Sequence, residues 1–476
     1  MHGPGTAANW SSPKNHLTSS GKKNTINNSF AEVLIYTSII TPRLQYITEF
    51  SGKEIFGNAF ELTTDKEYYV KKHIAKINYS AERILPEEFW IRSHSLLFED
   101  KITEQNVQCF EVNDQKAFFK TAGDFPFDIF AASFYLLSRY EEYLPYEKDM
   151  YGRYAHENSL AFKEGFLGQP LINIWLQQFK KALKQKFSLL PTPYSELTPH
   201  SSAFTFLPTY DIDIAWSYKH KGWWRSFGGL IQSLIKGKWT QFKERVNVLQ
   251  GKQKDPFDSY GWLNQLHEKH QLKPYYFFLL ADKKGKYDKN ISSRQKTLQA
   301  LISDHLIRYP VGIHPSWRSG DKHSLLKEEI DSLEAITGNK VLSSRQHYIR
   351  FTLPETFRRL IENGIQFDFS MGYGSINGFR ASVSSPFYWY DLEKEKQTGL
   401  MLFPFCYMEA NSFYEQKFTA QQALDEMRYY YDEVRSVNGT FIMIWHNHFF
   451  GTDKLYAGWK EVFEQFVTET SNFQRE

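Results

Sequence analysis

From residue 203 onward, short apolar runs alternate with helix-like ones, and nothing else in the 476-residue chain limits its fold as much. The apolar runs are AFTFLPTY, KPYYFFLL, YPVGIHP, NKVLSSR, GIQFDFS, GLMLFPF and TFIMIWH, seven in all. Between several of them lie SSRQKTLQALISDH, SLLKEEIDSLEAIT and PETFRRLIENG, with apolar residues at helical spacing. Strand alternating with helix implies parallel strands, because a crossover must return the chain to the start of the next strand. The expected class is α/β, either sheet or barrel, with chemistry at the C-terminal ends of the strands. Polar residues collect at those ends. Asp211 and Asp213 follow the first run, His314 the third, Arg345 and His347 the fourth, and His446 and His448 the last.

The stretch FLPTYDIDIAW ends an apolar run with two aspartates split by Ile212. Residues i and i+2 of an extended chain share a face, so the two carboxylates lie side by side. Two like charges in a buried place are costly unless a cation joins them. A metal ion or a basic side chain is expected there.

Bulk properties narrow the setting. A net charge of +3 is too small to argue for nucleic acid or a membrane surface as partner, and no nucleic acid is expected. Cys109 and Cys406 lie too far apart in sequence to suggest a disulfide framework, which fits a reducing compartment. No run of 18 apolar residues offers a membrane span. Residues 1–30 are polar and lack the apolar segment of a secretory signal, so a disordered leader without function and a cytoplasmic location are expected. Residues 31–195 mix strands (EVLIYTSI, KEYYVKKHIAKINYS) with helices (FDIFAASFYLLSRYEEYL, LINIWLQQFKKALKQKF), which suggests a smaller α+β domain. The Pro-rich LLPTPYSELTPH, 189–200, reads as a linker to a second domain, 200–476.

The order of these pieces resembles the polysaccharide deacetylase superfamily, the NodB-like carbohydrate esterase family 4. The resemblance covers roughly 203–450 and implies a distorted (β/α)7 barrel that removes N- or O-acetyl groups with a divalent metal. TYDID resembles the first motif, T-[FY]-D-D-[GA], with an isoleucine between the acids. This implies Asp211 as general base and Asp213 as metal ligand. HPSWR resembles the second motif, H-[ST]-x-x-H, but keeps only His314 and puts Arg318 in the second ligand's place. RQHY resembles R-x-P-[YW], so Arg345 matches and is expected to orient Asp211, while His347 replaces the proline. FDFSMGY, with Asp368 and Tyr373, resembles the fourth motif. IMIWHNH resembles the fifth, with His446 as the acid beside Trp445 and His448. A guanidinium has no lone pair to offer a metal, so His347 is expected as the third ligand. Arg318, Asp368, Tyr373, Trp445 and His448 are expected on the substrate side. The implied metal is zinc, with cobalt, nickel or manganese as alternatives, and the implied partner is a carbohydrate. The region before 200 resembles N-terminal domains of unknown role that precede such barrels.

The chemistry is coherent with that resemblance. Amide hydrolysis needs a polarised carbonyl, an activated water and a proton for the leaving amine, and a divalent ion, a carboxylate and a histidine can supply these. Three rival readings stay open. D-x-D also marks the metal site of many glycosyltransferases, which would place a Rossmann-like nucleotide-binding half earlier in the chain. The same barrel can hydrolyse other C–N bonds. The missing second-motif histidine also allows a non-catalytic binding module.

Overall fold

The computed structural model describes residues 33–188, 203–221, 235, 239–282 and 285–473. The polar leader and the proposed linker lie outside these residues.

The N-terminal part is built on four strands: β1 (Val33–Tyr36), β2 (Glu61–Thr63), β3 (Ala75–Tyr79) and β4 (Phe89–Ile91). They pair in parallel in the order β2-β1-β3-β4. A small separate hairpin of β5 (Phe110–Val112) and β6 (Gln115–Ala117) is antiparallel. This part is therefore more doubly wound than the α+β expectation allowed. The expected strand KEYYVKKHIAKINYS divides. Asp65 accepts a hydrogen bond from the Tyr68 N–H and starts a helix, Lys66–Lys71, before the chain extends into β3. FDIFAASFYLLSRYEEYL also divides, because Arg139 adopts a left-handed backbone (φ 56°) after the helix Ile129–Leu137. Strand order of this kind can bind nucleotides, but the first β–α turn, residues 37–41, reads TSIIT and holds no glycine. That speaks against the sugar-nucleotide reading.

All seven apolar runs of the C-terminal part are strands. They are β7 (Thr205–Ile212), β8 (Tyr275–Leu279), β9 (Val311–His314), β10 (Ser343–Ser344), β11 (Phe367–Asp368), β13 (Lys396–Leu402) and β15 (Thr440–His446). Two more, β12 (Phe387–Asp391) and β14 (Tyr407–Met408), complete a nine-stranded sheet ordered β12-β13-β11-β10-β9-β8-β7-β15-β14. Every neighbouring pair is parallel except β12 with β13. The first strand, β7, pairs with the last, β15, so the two ends of the chain's motif order meet inside the sheet. No ladder joins the edges of the sheet among the described residues. The two ends nevertheless belong to one stretch of chain. β13 pairs with β11, Phe405 donates to the Met371 carbonyl, and four residues beyond β13 the chain becomes β14 and pairs with β15. Pro404, which has no N–H to give, sits at the changeover.

Buried apolar side chains of both parts form one contiguous cluster. Polar clasps join the parts as well. Arg43 pairs with Glu395 at 2.5 Å, and Glu142 pairs with Arg380 at 2.5 Å. Cys109 and Cys406 are both free. No helix among the described residues is long and apolar enough to cross a membrane.

Candidate metal centre

Strand alternation decides what faces the centre of the sheet. In β15, Phe441, Met443 and Trp445 point one way and Ile442, Ile444 and His446 the other. The register sets His446 opposite Asp211 and Trp445 opposite Tyr210. Ser344 pairs with Ile313, which brings Arg345 beside His314. Residues as far as 235 positions apart in sequence are thus gathered at one end of the sheet by strand register.

At that end Asp213 is the hub. Its Oδ1 lies 3.1 Å from His314 Nε2, and its Oδ2 lies 3.3 Å from His347 Nε2 and 3.4 Å from His446 Nε2. One ligand atom each from Asp213, His314 and His347 falls within 4.8 Å of the other two. Asp211 stands behind, fully buried. Arg345 Nη1 donates to its Oδ1 at 2.9 Å, and its Oδ2 is 3.8 Å from His314 Nε2. The Arg345 guanidinium is itself buried and stacks on Phe277, 4.5 Å from the ring centre.

Each histidine is held from its far nitrogen. His314 Nδ1 meets the Arg345 carbonyl at 2.6 Å, His347 Nδ1 meets Asp288 Oδ1 at 3.0 Å, and His446 Nδ1 meets Glu409 Oε1 at 2.6 Å. Carbonyl and carboxylate oxygens only accept, so all three Nδ1 atoms carry the proton. The Nε2 lone pairs therefore aim at the Asp213 carboxylate, lone pair against lone pair. That arrangement is repulsive unless protons or a cation stand between. It is also how metal-binding imidazoles are held, with an outer acceptor fixing tautomer and ring direction. Four carboxylates (Asp211, Asp213, Asp288, Glu409) meet these side chains, and of the four only Asp211 is hydrogen-bonded to the Arg345 guanidinium. The donor set of one carboxylate and two imidazoles with room left over suits a divalent ion such as zinc.

Protonation equilibria follow the same imbalance. Burial alone would lower His446, but Glu409 and Asp213 push it up to about 10. His347 likewise resists burial and is raised to about 9 by Asp213 and Asp288. Burial would raise Asp213, yet His347 and His446 hold it well below the usual carboxylate range. His448 goes the other way. Burial, with His446 beside it, lowers it to about 3, so it is neutral.

A cavity of about 630 Å³ opens over the centre. Asp211, Asp213, His314, His347, His446 and His448 all line it. The other four residues expected on the substrate side do not. Arg318 sits in the turn Trp317–Gly320, half-buried and off the cavity wall. Asp368 is buried under the strand ends, accepts from Ser344 and Ser370, and is raised to about 6 chiefly by burial. Tyr373 is buried against the Arg139–Arg380 clasp. Trp445, by strand alternation, faces away into a cluster with Phe450, Phe463 and Trp459. Sequence reasoning missed Glu409 and Asp288. Glu409 follows β14 directly, so the strand-end rule could have found it. Asp288 lies in an aperiodic loop with no such signal. Also unforeseen are Met150, Tyr151 and Arg153, which reach the cavity wall from the N-terminal part.

Comparison with known proteins divides the chain in the same way. A model of a family of unknown function matches residues 33–188. Curated protein sequences give no significant match. Among solved structures, a candidate polysaccharide deacetylase from Mycobacterium smegmatis is similar at 12% identity and TM-score 0.38, over 58% of this chain and 86% of that one. A polysaccharide deacetylase from Bacillus cereus follows at 11% and 0.27, over 56% and 88%. A pseudoenzyme of carbohydrate esterase family 4 from Bacillus anthracis follows at 10% and 0.31, over 58% and 63%. Likeness this loose decides neither fold nor chemistry, and the side chains must do so.

Proposed function

We propose that the chain is a metal-dependent hydrolase that removes acetyl groups, N-linked before O-linked, from a carbohydrate, on a barrel of the NodB type closed through the β13–β14 stretch. The observation that carries the proposal is the convergence of three Nδ1-protonated histidines on Asp213 beside a separate, Arg-held Asp211. Asp213, His314 and His347 would hold the ion. When bound, the ion would polarise the acetyl carbonyl and make water a better nucleophile near neutral pH.

The chain's own groups divide the remaining work. Asp211 is oriented by Arg345, which donates to Oδ1 at 2.9 Å and leaves Oδ2 to take the proton of the attacking water. His446 carries its proton on the cavity side, because Glu409 and Asp213 favour the charged ring, and gives it to the leaving nitrogen. Arg345 orients the base and does not touch substrate. His448, neutral and lining the cavity, is a wall residue for the sugar. His347 stands in for the ligand that the second motif lacks at Arg318, which sets this chain apart from a pseudoenzyme reading based on that gap alone.

The test is acetate release from N-acetylated saccharides by zinc-loaded protein, with metal content measured alongside. Zinc bound at one equivalent and acetate released support the proposal. Zinc bound with no acetate released from any acetylated saccharide or ester would favour a binding module.

A further inference from the structure

We propose that the N-terminal part completes the active cavity, with Tyr151 forming the wall of a second saccharide subsite next to the metal centre. The proposal rests on the deacetylase reading for the reacting ring, and its test keeps the two apart.

Tyr151 is presented from a turn that is closed on itself. The Asp149 N–H donates to the Arg153 carbonyl at 2.9 Å, and Gly152 takes the left-handed backbone the turn requires (φ +73°). The Asp149 carboxylate accepts from the Tyr151 N–H at 2.9 Å, the Arg153 N–H at 3.0 Å and Arg153 Nε at 2.6 Å. Arg153 then crosses to the C-terminal part and donates to the Tyr348 carbonyl at 2.8 Å. Tyr348 follows His347 directly and has a left-handed backbone (φ 59°), unusual for a tyrosine. The turn is therefore bolted to the residue beside a proposed metal ligand.

Around it stands an aromatic wall. The Tyr151 ring lies 5.4 Å from Tyr348 and 6.1 Å from Tyr287, centre to centre, and Tyr287 lies 4.2 Å from Trp317. The wall begins at the metal site, since the Tyr348 ring is 4.7 Å from His347. Most aromatic side chains of the protein are core, but Tyr151, Tyr287 and Tyr348 are only half-buried and line the cavity. Among the described residues no hydrogen bond to their hydroxyls is present, so the phenols are available. A flat apolar face with hydroxyls at its rim matches a pyranose, whose C–H face stacks and whose hydroxyls hydrogen-bond. A wall that starts one ring from the reaction centre fits the neighbouring sugar of an oligosaccharide.

The experiment measures binding of N-acetylglucosamine and its β-1,4-linked tetramer to the zinc-loaded full chain by calorimetry. Tyr151→Ala should reduce the tetramer-to-monomer affinity ratio by about tenfold, and Tyr151→Phe, which keeps the ring, should retain most of it. Tyr151→Leu fills the same space without an aromatic face and should behave like Tyr151→Ala, which guards against a folding defect in the smaller variant. An unchanged ratio in both Tyr151→Ala and Tyr151→Leu overturns the proposal. So does a parent protein that binds the tetramer no better than the monomer. Zinc binding and acetate release from a small acetyl ester decide the deacetylase reading independently of either result.

Discussion

Two clusters of buried charge, the clasp at Glu142 and the centre at Asp213, are built on opposite rules. In the clasp between the two parts, Glu142 Oε1 accepts from Arg139 at 2.7 Å and from Arg380 at 2.8 Å, and Glu142 Oε2 accepts from Arg380 at 2.5 Å. Arg139 also meets Glu141 at 2.8 Å. Each charge has its opposite within hydrogen-bonding distance, and the cluster is complete without a guest. At the candidate metal centre, Asp211 alone of four carboxylates is bonded to a guanidinium, and three imidazole Nε2 atoms converge on Asp213. Balance marks a structural clasp, and an organised imbalance marks a place for a cation.

The largest expected difference between the clusters is in catalysis. Asp211→Asn should lower kcat/KM for acetate release by about 10²- to 10⁴-fold, the usual worth of a positioned general base. Zinc content should stay at the parent level. Loss of zinc in that variant, with activity restored by excess metal, would make Asp211 a ligand instead of a base.

The clasp answers to stability. Glu142→Ala leaves Arg139 and Arg380 facing each other in a buried place, and should destabilise the chain by about 3–5 kcal/mol in urea unfolding. Its zinc affinity, where folded, should match the parent's. If zinc affinity falls as far as it does in His314→Ala, the two clusters are one system and the contrast between them fails.

The C-terminal part was more legible in the sequence than the N-terminal part, for a physical reason. Its longest central strands, β7, β8 and β15, are buried on both faces toward their C-terminal ends, so they read as apolar runs, and polar residues at the run ends stand out. The strand-end rule alone sets Asp211, Asp213, His314, Arg345, His347 and His446 at one end of the sheet. What the runs do not show is direction across the sheet. Trp445 was expected at the cavity beside His446, yet adjacent residues of a strand face opposite sides. Asp288 and the Tyr151 turn come from loops, where position is set by tertiary hydrogen bonds and no periodicity announces them. The N-terminal strands β1 to β4 are only three to five residues long. A turn of helix next to such a strand is easily read as its continuation, as happened at Lys66–Lys71.

Metal affinity gives the next smaller effect and bears on the substituted ligand. His347→Ala should weaken zinc binding by more than about a hundredfold, since it removes a ligand where loss of an outer partner alone costs tenfold to a hundredfold. Asp288→Asn should fall within that outer-partner range. Arg318→Ala should change nothing, because its side chain lies off the cavity. A His347→Ala protein that binds zinc like the parent would return the third-ligand position to another residue.

The smallest effect is in pH dependence, where the two clusters should fail at opposite ends of the scale. In metal-free protein His347 and His446 are raised to about 9 and about 10, above the usual value of about 6.5. Groups raised in the folded state add stability that is complete below about pH 6.5 and is lost as pH climbs through their folded values. Glu142 is the reverse case. Burial opposes its ionisation, but Arg380 and Arg139 hold it below its usual value, so its contribution is present above about pH 4.3 and lost in acid. Metal-free protein should thus lose a few degrees of Tm between pH 7 and 10, and His347→Ala should lose less. Zinc inverts the basic limb. The ion takes the Nε2 position that the proton holds, so zinc affinity should climb with pH up to about 9, by about tenfold per unit for one displaced proton. A metal-free Tm that is flat from pH 7 to 10, together with zinc affinity that ignores pH, would mean that the imidazoles are neutral without the ion. The imbalance that separates the centre from the clasp would then be smaller than the geometry suggests.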